Sequence, residues 1–296
     1  DFSYFKASVP PQSDQAFTFE LSAKKASPIR HIMALRDVLF FTGSAVHRVF
    51  STTGDAFAPD TISSIAVCAQ GAAEGLRPQE AGNSILFPVA RGQHVYEIKY
   101  DGAGEGYPAS DISIIANHLI DGYSWVQTGF QNAPYPVWWG LRSDGKLIGL
   151  TFISEQQVYA WYVWELEGGF IQSFTVVPEG DHDSVYVAVQ RLIDGNNVVY
   201  IERVKPPFMQ NDAQEDAFFI DCGLTYEGAA TTTITGLDHL EGAEVMVLAE
   251  GRPMGPFTVT GGEITIDELS STVQVGLAYP CELETLPLVY EAQGLG

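Results

Sequence analysis

The amino-acid sequence predicts an all-β protein. Residues 137–204 contain six short runs of β-branched and aromatic residues, each about five to eight residues long, which is the length of a strand rather than of a helix. The runs end at turn signals such as Ser143–Gly145 and Asp194–Asn196. Asp-Gly between apolar runs is typical of a tight hairpin, because glycine adopts a positive φ without steric cost. These residues therefore predict a meander of antiparallel strands.

Four predicted hairpins resemble copies of one unit. They pair VLFFTG with AVHRVF, ILFPVA with HVYEIKY, LIGLTF with VYAWYVW, and VYVAVQ with VVYIERV. With Leu39, Ile85, Leu147 and Val185 as markers, the copies lie 46, 62 and 38 residues apart. A repeat of about 40–50 residues is typical of a β-propeller, whose blades are four-stranded meanders. The sequence thus predicts β-propeller-like antiparallel meanders, and a sandwich of stacked sheets is the alternative.

Local patterns of apolar and turn-forming residues predict the remaining strands, one loop and one helix. Residues 16–21 predict a single strand, residues 61–69 predict either a strand or a short helix, and the glycine-rich residues 71–83 predict a loop. One short helix is predicted at Ser110–Ile120, because Ser110 is a suitable N-cap and apolar residues recur on one helical face. Further strands are predicted at Ile29–Leu35, Val38–Thr42, Ala45–Phe50, Ser84–Val89 and Gln93–Tyr100.

Composition divides the chain into four segments. Residues 1–28 form an N-terminal linker and strand, in which Pro10–Asp14 is an extended surface linker, and residues 29–205 form the propeller-like β domain. Two adjacent prolines then end the meander, since proline removes a donor from the strand ladder. Residues 206–222 are an acidic connector, and residues 223–296 predict a small β-barrel or sandwich module. Its predicted strands are Thr231–Thr235, Ala243–Ala249, Gly255–Thr260, Glu263–Ile266 and Thr272–Leu277.

Charge and cysteine content exclude several classes of function. The 296 residues include 15 basic and 37 acidic ones, a net charge of −22. So negative a surface repels nucleic-acid phosphates, and no specific nucleic-acid binding is expected. Cys68, Cys222 and Cys281 form no CxxC pair, which argues against a zinc site or a disulfide framework and favours reduced, buried thiols. Neither a signal peptide nor a run of about 18 apolar residues is recognisable, so no transmembrane segment is predicted.

No catalytic, cofactor-binding or metal-binding residues are predicted, and no enzymatic activity is expected. The six histidines never fall at HxH or HxxxH spacing, Ser44 and Ser154 lie in no GxSxG elbow, and Gly102–Gly106 has no lysine for a phosphate loop. Asp181–Asp183 offers paired oxygens for calcium but lacks the rest of an EF-hand pattern, so a solvated turn is the better interpretation. Among 37 acidic residues, nothing singles out a pair for glycoside hydrolysis.

Two tryptophan pairs are the remaining candidates for a binding surface. Trp138 and Trp139 are adjacent in a predicted strand, so one ring is expected to face the core and the other to face outward. The outward ring has three interpretations: packing on a neighbouring blade, contact with a partner subunit, or stacking on a sugar. Trp161 and Trp164 fall on opposite faces of a later predicted strand and carry the same ambiguity.

Two stretches resemble the tail proteins of short-tailed phages and prophages. Residues 27–50 resemble a segment with the pattern IRWM…RDLL…T…G.EWRV, and residues 142–203 resemble RxDGxLxGLTYxxEQxVxxWxxW/H…GxxxSxxVIPxGxxDxVWxxVxRxxxGxxxRYIERL. One departure is His47, which stands where the family has tryptophan. The matching residues are Ile29, Arg30, Ile32, Arg36, Asp37, Val38, Thr42, Gly43, Arg48, Arg142, Asp144, Gly145, Leu147, Gly149–Thr151, Glu155, Gln156, Val158, Trp161, Gly169, Ser173, Pro178, Gly180, Asp183, Val185, Val189, Arg191, Gly195 and Tyr200–Arg203.

The C-terminal module resembles the module that follows in these tail proteins, which is similar to the small β domain of ubiquitin-activating enzymes. Residues 283–287, LETLP, match its end, so the resemblance covers about residues 29–287. The other matching residues are Gly236, Leu237, His239–Gly242, Val245–Ala249, Gly251 and Val275–Leu277.

The resemblance implies a structural virion component similar to the tubular or nozzle protein of the tail. Such a protein is built around a β-propeller, is made in the cytoplasm of the bacterial host, and joins copies of itself and other tail proteins. Together they form a ring or conduit for DNA ejection. The resemblance implies no catalytic residues. The alternative is a carbohydrate-binding or host-surface-recognising propeller, which the paired tryptophans and the surplus of acidic residues suggest.

Overall fold

The computed structural model describes residues 16–283, apart from residues 22, 24, 55, 56, 105 and 194. In this part of the chain the strands pair into five antiparallel sheets, so the predicted all-β class is confirmed. The predicted linker Pro10–Asp14 and residues 284–296 of the C-terminal module lie outside the described residues.

The chain forms two compact units. The first is built mainly from residues up to Pro206 and the second from Pro207 onward, where the paired prolines end the strand pattern. Residues 166–168 and 192–197 belong to the second unit.

The first unit contains four sheets, and each sheet is a meander of strands consecutive in the chain. Sheet 1 is formed by β1 (Ile29–Ala34), β2 (Val38–Thr42), β3 (Val46–Ser51) and β4 (Ile62–Cys68). Sheet 2 is formed by β5 (Gln79–Ala81), β6 (Ser84–Pro88), β7 (Val95–Lys99) and β8 (Ala109–Asp111). Sheet 3 is formed by β9 (Trp125–Gln131), β10 (Val137–Arg142), β11 (Leu147–Ile153) and β12 (Val158–Trp164). Sheet 4 is formed by β13 (Gly169–Glu179), β14 (His182–Ile193) and β15 (Asn196–Arg203).

The repeat is more regular than the sequence indicated. The second strands of the four sheets begin at Val38, Ser84, Val137 and His182, which lie 46, 53 and 45 residues apart. The predicted marker Leu147 belongs to β11, the third strand of its sheet, so the predicted spacing of the third repeat was wrong by one strand. The six strands predicted within residues 137–204 are confirmed as β10 to β15.

The helix predicted at Ser110–Ile120 is mostly wrong. Ser110 lies in β8 and pairs with Glu97 of β7, because the edge of sheet 2 offers backbone partners that an isolated helix lacks. A 3₁₀ turn at Ile114–Ala116 follows, and the only α-helix among the described residues is α1 (Asn117–Ile120).

Three further predictions are decided by strand pairing. Residues 16–21 form no strand, since no neighbouring strand pairs with them. Residues 61–69, predicted as strand or helix, contain β4. The predicted loop at residues 71–83 contains β5, because Glu80 and its neighbours pair with β6.

Consecutive sheets of the first unit stack face to face. Sheets 1 and 2 share a core in which the rings of Phe41 and Phe87 meet edge to face, with 5.1 Å between centroids. Sheets 2 and 3 share a second core that contains Leu86 and Trp138. All five residues of β6 are buried, because Ile85 and Phe87 belong to the first core and Leu86 to the second. Burying each such side chain contributes about 1.5–3 kcal/mol.

Sheets 3 and 4 are joined by the side-chain amide of Gln127. Its Nε2 donates to the carbonyl of Phe174 over 2.5 Å, and its Oε1 accepts the backbone N–H of Phe174 over 3.1 Å. Gly129 lies beside the same phenylalanine, and a Cβ at this position would come within 2.8 Å of the Phe174 ring. Close approach of the two sheets therefore depends on a glycine inside β9.

The second unit is a single bent sheet rather than a closed barrel. The 15-residue strands β16 and β19 pair along both of their halves, with bulges near Thr231, so the sheet wraps around one core. The two separate strands predicted at residues 263–266 and 272–277 are one continuous strand, β19. In sheet order the strands are β16 (Asp221–Thr235), β19 (Glu263–Leu277), β17 (Glu244–Ala249) and β18 (Arg252–Thr258).

Gly71 allows the backbones of sheets 1 and 2 to touch. Its carbonyl accepts the N–H of Ala90 over 2.7 Å, and the next residue, Ala72, donates to the carbonyl of Thr42 over 2.9 Å. A Cβ at Gly71 would lie 2.2 Å from the carbonyl carbon of Gly43. The added methyl group would therefore clash with the Gly43 carbonyl. Backbone hydrogen bonds hold both chain segments in place, so neither can move away without breaking the junction between the sheets.

Gly71→Ala is therefore expected to lower the free energy of unfolding by about 1–3 kcal/mol, the usual effect of overpacking. Urea denaturation followed by tryptophan fluorescence measures the effect. Gly102→Ala is the matched control, because the nearest atom to its added methyl group is 3.8 Å away. Equal midpoints for the two variants would contradict the prediction.

Candidate functional site

Ser113, His94 and Asp111 form the arrangement closest to a catalytic triad. His94 Nδ1 lies 2.9 Å from Asp111 Oδ2 and 3.3 Å from Ser113 Oγ. In a working triad the serine and the carboxylate contact opposite nitrogens of the imidazole. Here both contact the same nitrogen, and the fully buried Ser113 hydroxyl donates to Asp111 over 2.7 Å and accepts the N–H of Val95 over 3.0 Å. The cluster fixes the end of β8 against β7 and activates no nucleophile.

Glu97 is a buried carboxylate between sheets 2 and 3. Its side chain is 3% exposed. Oε1 accepts hydrogen bonds from the hydroxyls of Ser84 at 2.7 Å and Ser154 at 3.2 Å, and Oε2 accepts one from Tyr159 at 3.1 Å. Burial and the nearby Glu97 charge raise the pKa of Tyr159. Three hydroxyls therefore donate to the Glu97 carboxylate and join sheet 2 to sheet 3. Because the carboxylate is buried, a substrate cannot reach it.

The Asp181–Asp183 segment lies at the turn between β13 and β14, and its role is structural. It joins β13 to β14, and Asp183 Oδ2 accepts the backbone N–H groups of Asn132 at 2.6 Å and Ala133 at 3.1 Å. This carboxylate thus anchors the β13–β14 turn to the loop before β10. Across the part of the chain that the structure describes, no three metal-ligating side chains come together.

Both adjacent tryptophans are buried. Trp138 is fully buried against Trp125 and Trp161, and Trp139 is 7% exposed and donates to Gln131 over 3.1 Å. The two rings lie on opposite faces of β10, as predicted, and the ring of Trp139, on the face away from sheet 2, is enclosed by side chains of β9 and β12. Trp161 also donates to the carbonyl of Ile112 over 3.0 Å, across to sheet 2.

Arg142 and Asp144, which belong to the second resemblance pattern, hold a hairpin and its neighbouring turn. The guanidinium binds the carboxylate through two hydrogen bonds of 3.0 and 2.5 Å, donates to the carbonyl of Leu119 and lies over the ring of Tyr123. Burial would raise the pKa of Asp144, but the hydrogen bonds and charge of Arg142 outweigh it and keep the pKa below its usual value. Arg142 is 6% exposed, so it is not a surface ligand.

Asp37 and Arg48, from the first resemblance pattern, join sheet 1 to sheet 2. Arg48 Nε lies 2.8 Å from Asp37 Oδ2, and the Tyr107 hydroxyl donates to the same carboxylate over 3.0 Å. The Asp37 N–H donates back to the tyrosine oxygen over 2.9 Å. Burial, with the charge of Asp37, raises the pKa of Tyr107 to about 12. In sheet 4, buried Arg191 pairs with Glu202 in the same way, at 2.6 and 2.8 Å.

Exposed apolar side chains lie on sheets 1 and 4. On sheet 1, Ile32 is 59% and Ile65 is 54% exposed. On sheet 4, Val199 is 52% and Ile201 is 72% exposed. In sheet 1 the strand register puts Ile32 in line with Phe40 and Ile65 in line with Leu39, so the two isoleucines lie on opposite faces. In sheet 4, Val199 and Ile201 are two residues apart on one strand and share a face.

Acidic residues are concentrated in the C-terminal part of the chain. Residues 206–296 hold fifteen of the acidic residues and one basic residue, Arg252. This imbalance gives the unit a negative potential that repels phosphate groups. The exposed acids that the structure describes here are Asp212, Glu215, Asp216, Glu227, Asp238, Glu244, Glu263, Asp267, Glu268 and Glu282.

The cysteines differ in exposure. Cys68 is buried, as predicted, and burial raises the pKa of its thiol, whereas Cys281 is exposed and that prediction is wrong. Within residues 16–283 as described, no helix is long and apolar enough to cross a membrane.

Comparison with known proteins assigns no family, because no protein-family model and no curated protein matches the chain. A buried carboxylate, a serine and histidine cluster and arginine pairs carry chemistry in other proteins. In this protein these groups hold sheets or turns.

Glu97→Ala is expected to lower the free energy of unfolding by about 3 kcal/mol, because hydrogen bonds to a charged group contribute about 1.5–3 kcal/mol. Tyr159→Phe removes one of the three bonds and is expected to cost about half as much. Denaturant titration of both variants and of the double variant measures their coupling. The control is Glu80→Ala, which removes an exposed acid of the same sheet. Additive effects of Glu97→Ala and Tyr159→Phe would contradict the hydrogen bond between Glu97 and Tyr159.

Because His47 is buried without a hydrogen-bond partner, the protein is expected to lose stability in mild acid. It is 1% exposed, neither ring nitrogen has a hydrogen-bond partner, and burial lowers its pKa. The folded protein therefore holds His47 neutral, whereas the unfolded chain takes up a proton below about pH 6.5. The free energy of unfolding is expected to fall as the pH drops through this value.

The measurement is urea denaturation of the natural chain and of His47→Phe between pH 7.5 and 5. The variant is expected to lose part of the pH dependence, and the exposed His118→Phe is expected to keep it. Identical slopes for the natural chain and His47→Phe would show that burial does not keep His47 neutral.

Proposed function

We propose that the chain is a structural component of a phage or prophage tail, similar to the tubular or nozzle proteins. It acts through contacts with copies of itself and with other tail proteins, as part of a ring or conduit for genome delivery. In this proposal the four sheets of the first unit are blades of a propeller. The protein is made in the bacterial cytoplasm and resides in the virion tail.

One observation carries the proposal: the charged residues of the resemblance that form ion pairs hold strands or turns. Asp37 with Arg48 is a half-buried pair, and in the pairs of Arg142 with Asp144 and of Arg191 with Glu202 the arginine is buried. Such residues specify an architecture, and none of them is exposed in a cleft where a substrate would bind. A shared pattern of this kind is expected of proteins that are related by scaffold and not by catalysis.

Charge and exposed surface also support an assembly protein. A net charge of −22 suits a conduit wall that DNA must pass without binding, since like charges repel. The exposed Val199 and Ile201, which lie on one face of sheet 4, are apolar side chains of the kind found at subunit contacts.

The alternative, a carbohydrate-binding or host-surface-recognising propeller, keeps only the second tryptophan pair, Trp161 and Trp164, which are half-buried. Trp138 and Trp139 are both buried, so neither ring is available for stacking on a sugar. The surplus of acidic residues does not favour a sugar over any other neutral ligand.

The proposal is tested on virions and on purified protein. Mass spectrometry of purified virions is expected to detect the chain at several copies per particle, and electron microscopy of the full-length protein is expected to show rings. Ile201→Lys places a charge among the exposed apolar side chains of sheet 4 and is expected to reduce assembly at least tenfold in analytical ultracentrifugation. Ile115→Lys, at a residue 70% exposed in a turn, is the matched control. Absence of the chain from virions would refute the proposal.

A further inference from the structure

Residues 207–220 form a loop that is fastened to the sheet of the second unit. This connector loop belongs to that unit and leads into β16. Gln214 Nε2 donates to the carbonyl of Gly251 over 3.0 Å, and Gln274 Nε2 of β19 donates to the carbonyl of Glu215 over 3.1 Å. The middle of the loop is therefore held by its own unit and is not a free tether.

Two phenylalanines close the connector loop at its ends. The rings of Phe208 and Phe219 meet edge to face, with 5.8 Å between centroids. At one end the N–H of Met209 donates to Asp212 Oδ2 over 2.7 Å, and the N–H of Asp212 donates to the Met209 carbonyl over 3.1 Å, which makes a tight turn. The connector loop is thus built as an Ω-loop, a compact surface loop with close ends that frequently carries function.

Phe219 projects from the loop because the residues on either side of it pack inward. A Cβ at Gly223 would come within 2.7 Å of the Phe218 ring and 2.8 Å of Ile220 Cδ1, so both of these side chains lie against Gly223. Successive side chains of an extended segment point to opposite sides. Phe219 is 62% exposed for this reason, and not because the backbone around it is loose.

The exposed side chains at the ends of the loop are of the kinds that anchor protein interfaces. Phe208 is 41% exposed, and Met209, which follows it, is 37% exposed. Together with Phe219 we call them the apolar patch. Aromatic residues and methionine are enriched in the cores of protein interfaces, and the flexible methionine side chain adapts to irregular surfaces. The apolar patch therefore has the composition of a docking site.

The loop that carries the apolar patch is acidic. Asp212, Glu215 and Asp216 are exposed, and residues 207–220 contain no basic residue. Arg252 is the one basic residue in residues 206–296, and its guanidinium lies 3.0 Å from Glu268. Because the potentials of two binding surfaces are complementary, the patch selects a positively charged partner.

Charge disfavours the other occupants of the patch. A second copy of the chain brings the same net charge of −22, which repels this surface. Nucleic acids and anionic membranes are negative as well. A basic segment of another protein combines the required charge with apolar side chains that can cover the two phenylalanines.

We propose that the apolar patch of the connector loop docks a basic segment of another protein. Aromatic or aliphatic side chains of the partner cover Phe208, Met209 and Phe219, and its lysines or arginines lie beside the acids of the loop. This inference goes beyond the proposed function and does not depend on it, since it is tested on the purified chain.

A cationic probe tests the apolar part of the site. The probe is a fluorescein-labelled amphipathic helical peptide of leucine and lysine, and its anisotropy is measured with the full chain. The double variant Phe208→Ser with Phe219→Ser is expected to weaken binding by about tenfold or more, as the loss of aromatic anchors usually does. Leu269→Ser is the matched control, because it removes another exposed apolar side chain of the same unit. No binding by the natural chain, or equal binding by the double variant, would overturn the proposal.

Neutral variants test the charge of the site. Asp212→Asn, Glu215→Gln and Asp216→Asn are combined, since asparagine keeps an oxygen that can accept the N–H of Met209. This set is expected to weaken peptide binding by about fivefold or more and to reduce its salt dependence. The control set removes three other exposed acids of the unit, through Glu244→Gln, Glu263→Gln and Asp267→Asn. Equal losses in the two sets would assign the binding to net charge alone and overturn the site.

Analytical ultracentrifugation of the full chain alone decides whether a second copy occupies the patch. The natural chain and the double phenylalanine variant are expected to sediment alike. Ile201→Lys, the variant that tests the proposed function, is expected to leave peptide binding unchanged, so the two proposals can fail separately. A dimer that forms in the natural chain and is lost in the double phenylalanine variant would overturn the proposal and assign the patch to another copy.

Discussion

Face-to-face stacking of consecutive sheets is the constraint on which the first unit depends. Every residue of β6 and of β10 is buried, so these strands offer side chains to a neighbouring sheet in both directions. Polar groups persist in these layers where they are paired, as Glu97 is by three hydroxyls and Arg142 is by Asp144. An unpaired charge in the same place would cost far more than the stacking gains from one side chain. Packing thus determines both the apolar pattern and the position of the ion pairs.

The sequence predicted those strands whose turns and side chains agree locally. The six strands between residues 137 and 204 were found because β-branched runs alternate with Asp-Gly and similar turns. β9, WVQTGFQ, gave no such signal, because a glycine interrupts its apolar pattern. Gly129 is needed there to make room for the ring of Phe174 on the next sheet. The same omission displaced the third repeat by one strand. The helix expected at Ser110–Ile120 failed for a related reason, because pairing with β7 overrides a local helical pattern.

The chemistry of the interior was less predictable than the strands. The resemblance selected Arg142 and Asp144, which are two residues apart, without indicating that they hold a hairpin. Glu97 gave no sequence signal, because its partners Ser84, Ser154 and Tyr159 are 13, 57 and 62 residues away. The Ser113 cluster is the reverse case. Three residues of catalytic type lie together there, but Ser113 and Asp111 contact the same nitrogen of His94, so they form no working triad. Contacts between sheets, which no local pattern records, decide both cases.

The order of the stack also determines how damage spreads through the first unit. The shared cores and the Gln127 bonds join each sheet to the one next to it in the chain. A change in sheet 2 reaches two cores at once, because Ile85 and Phe87 of β6 belong to one and Leu86 to the other. Loss of sheet 2 therefore removes a packing partner from sheet 1 and from sheet 3 together.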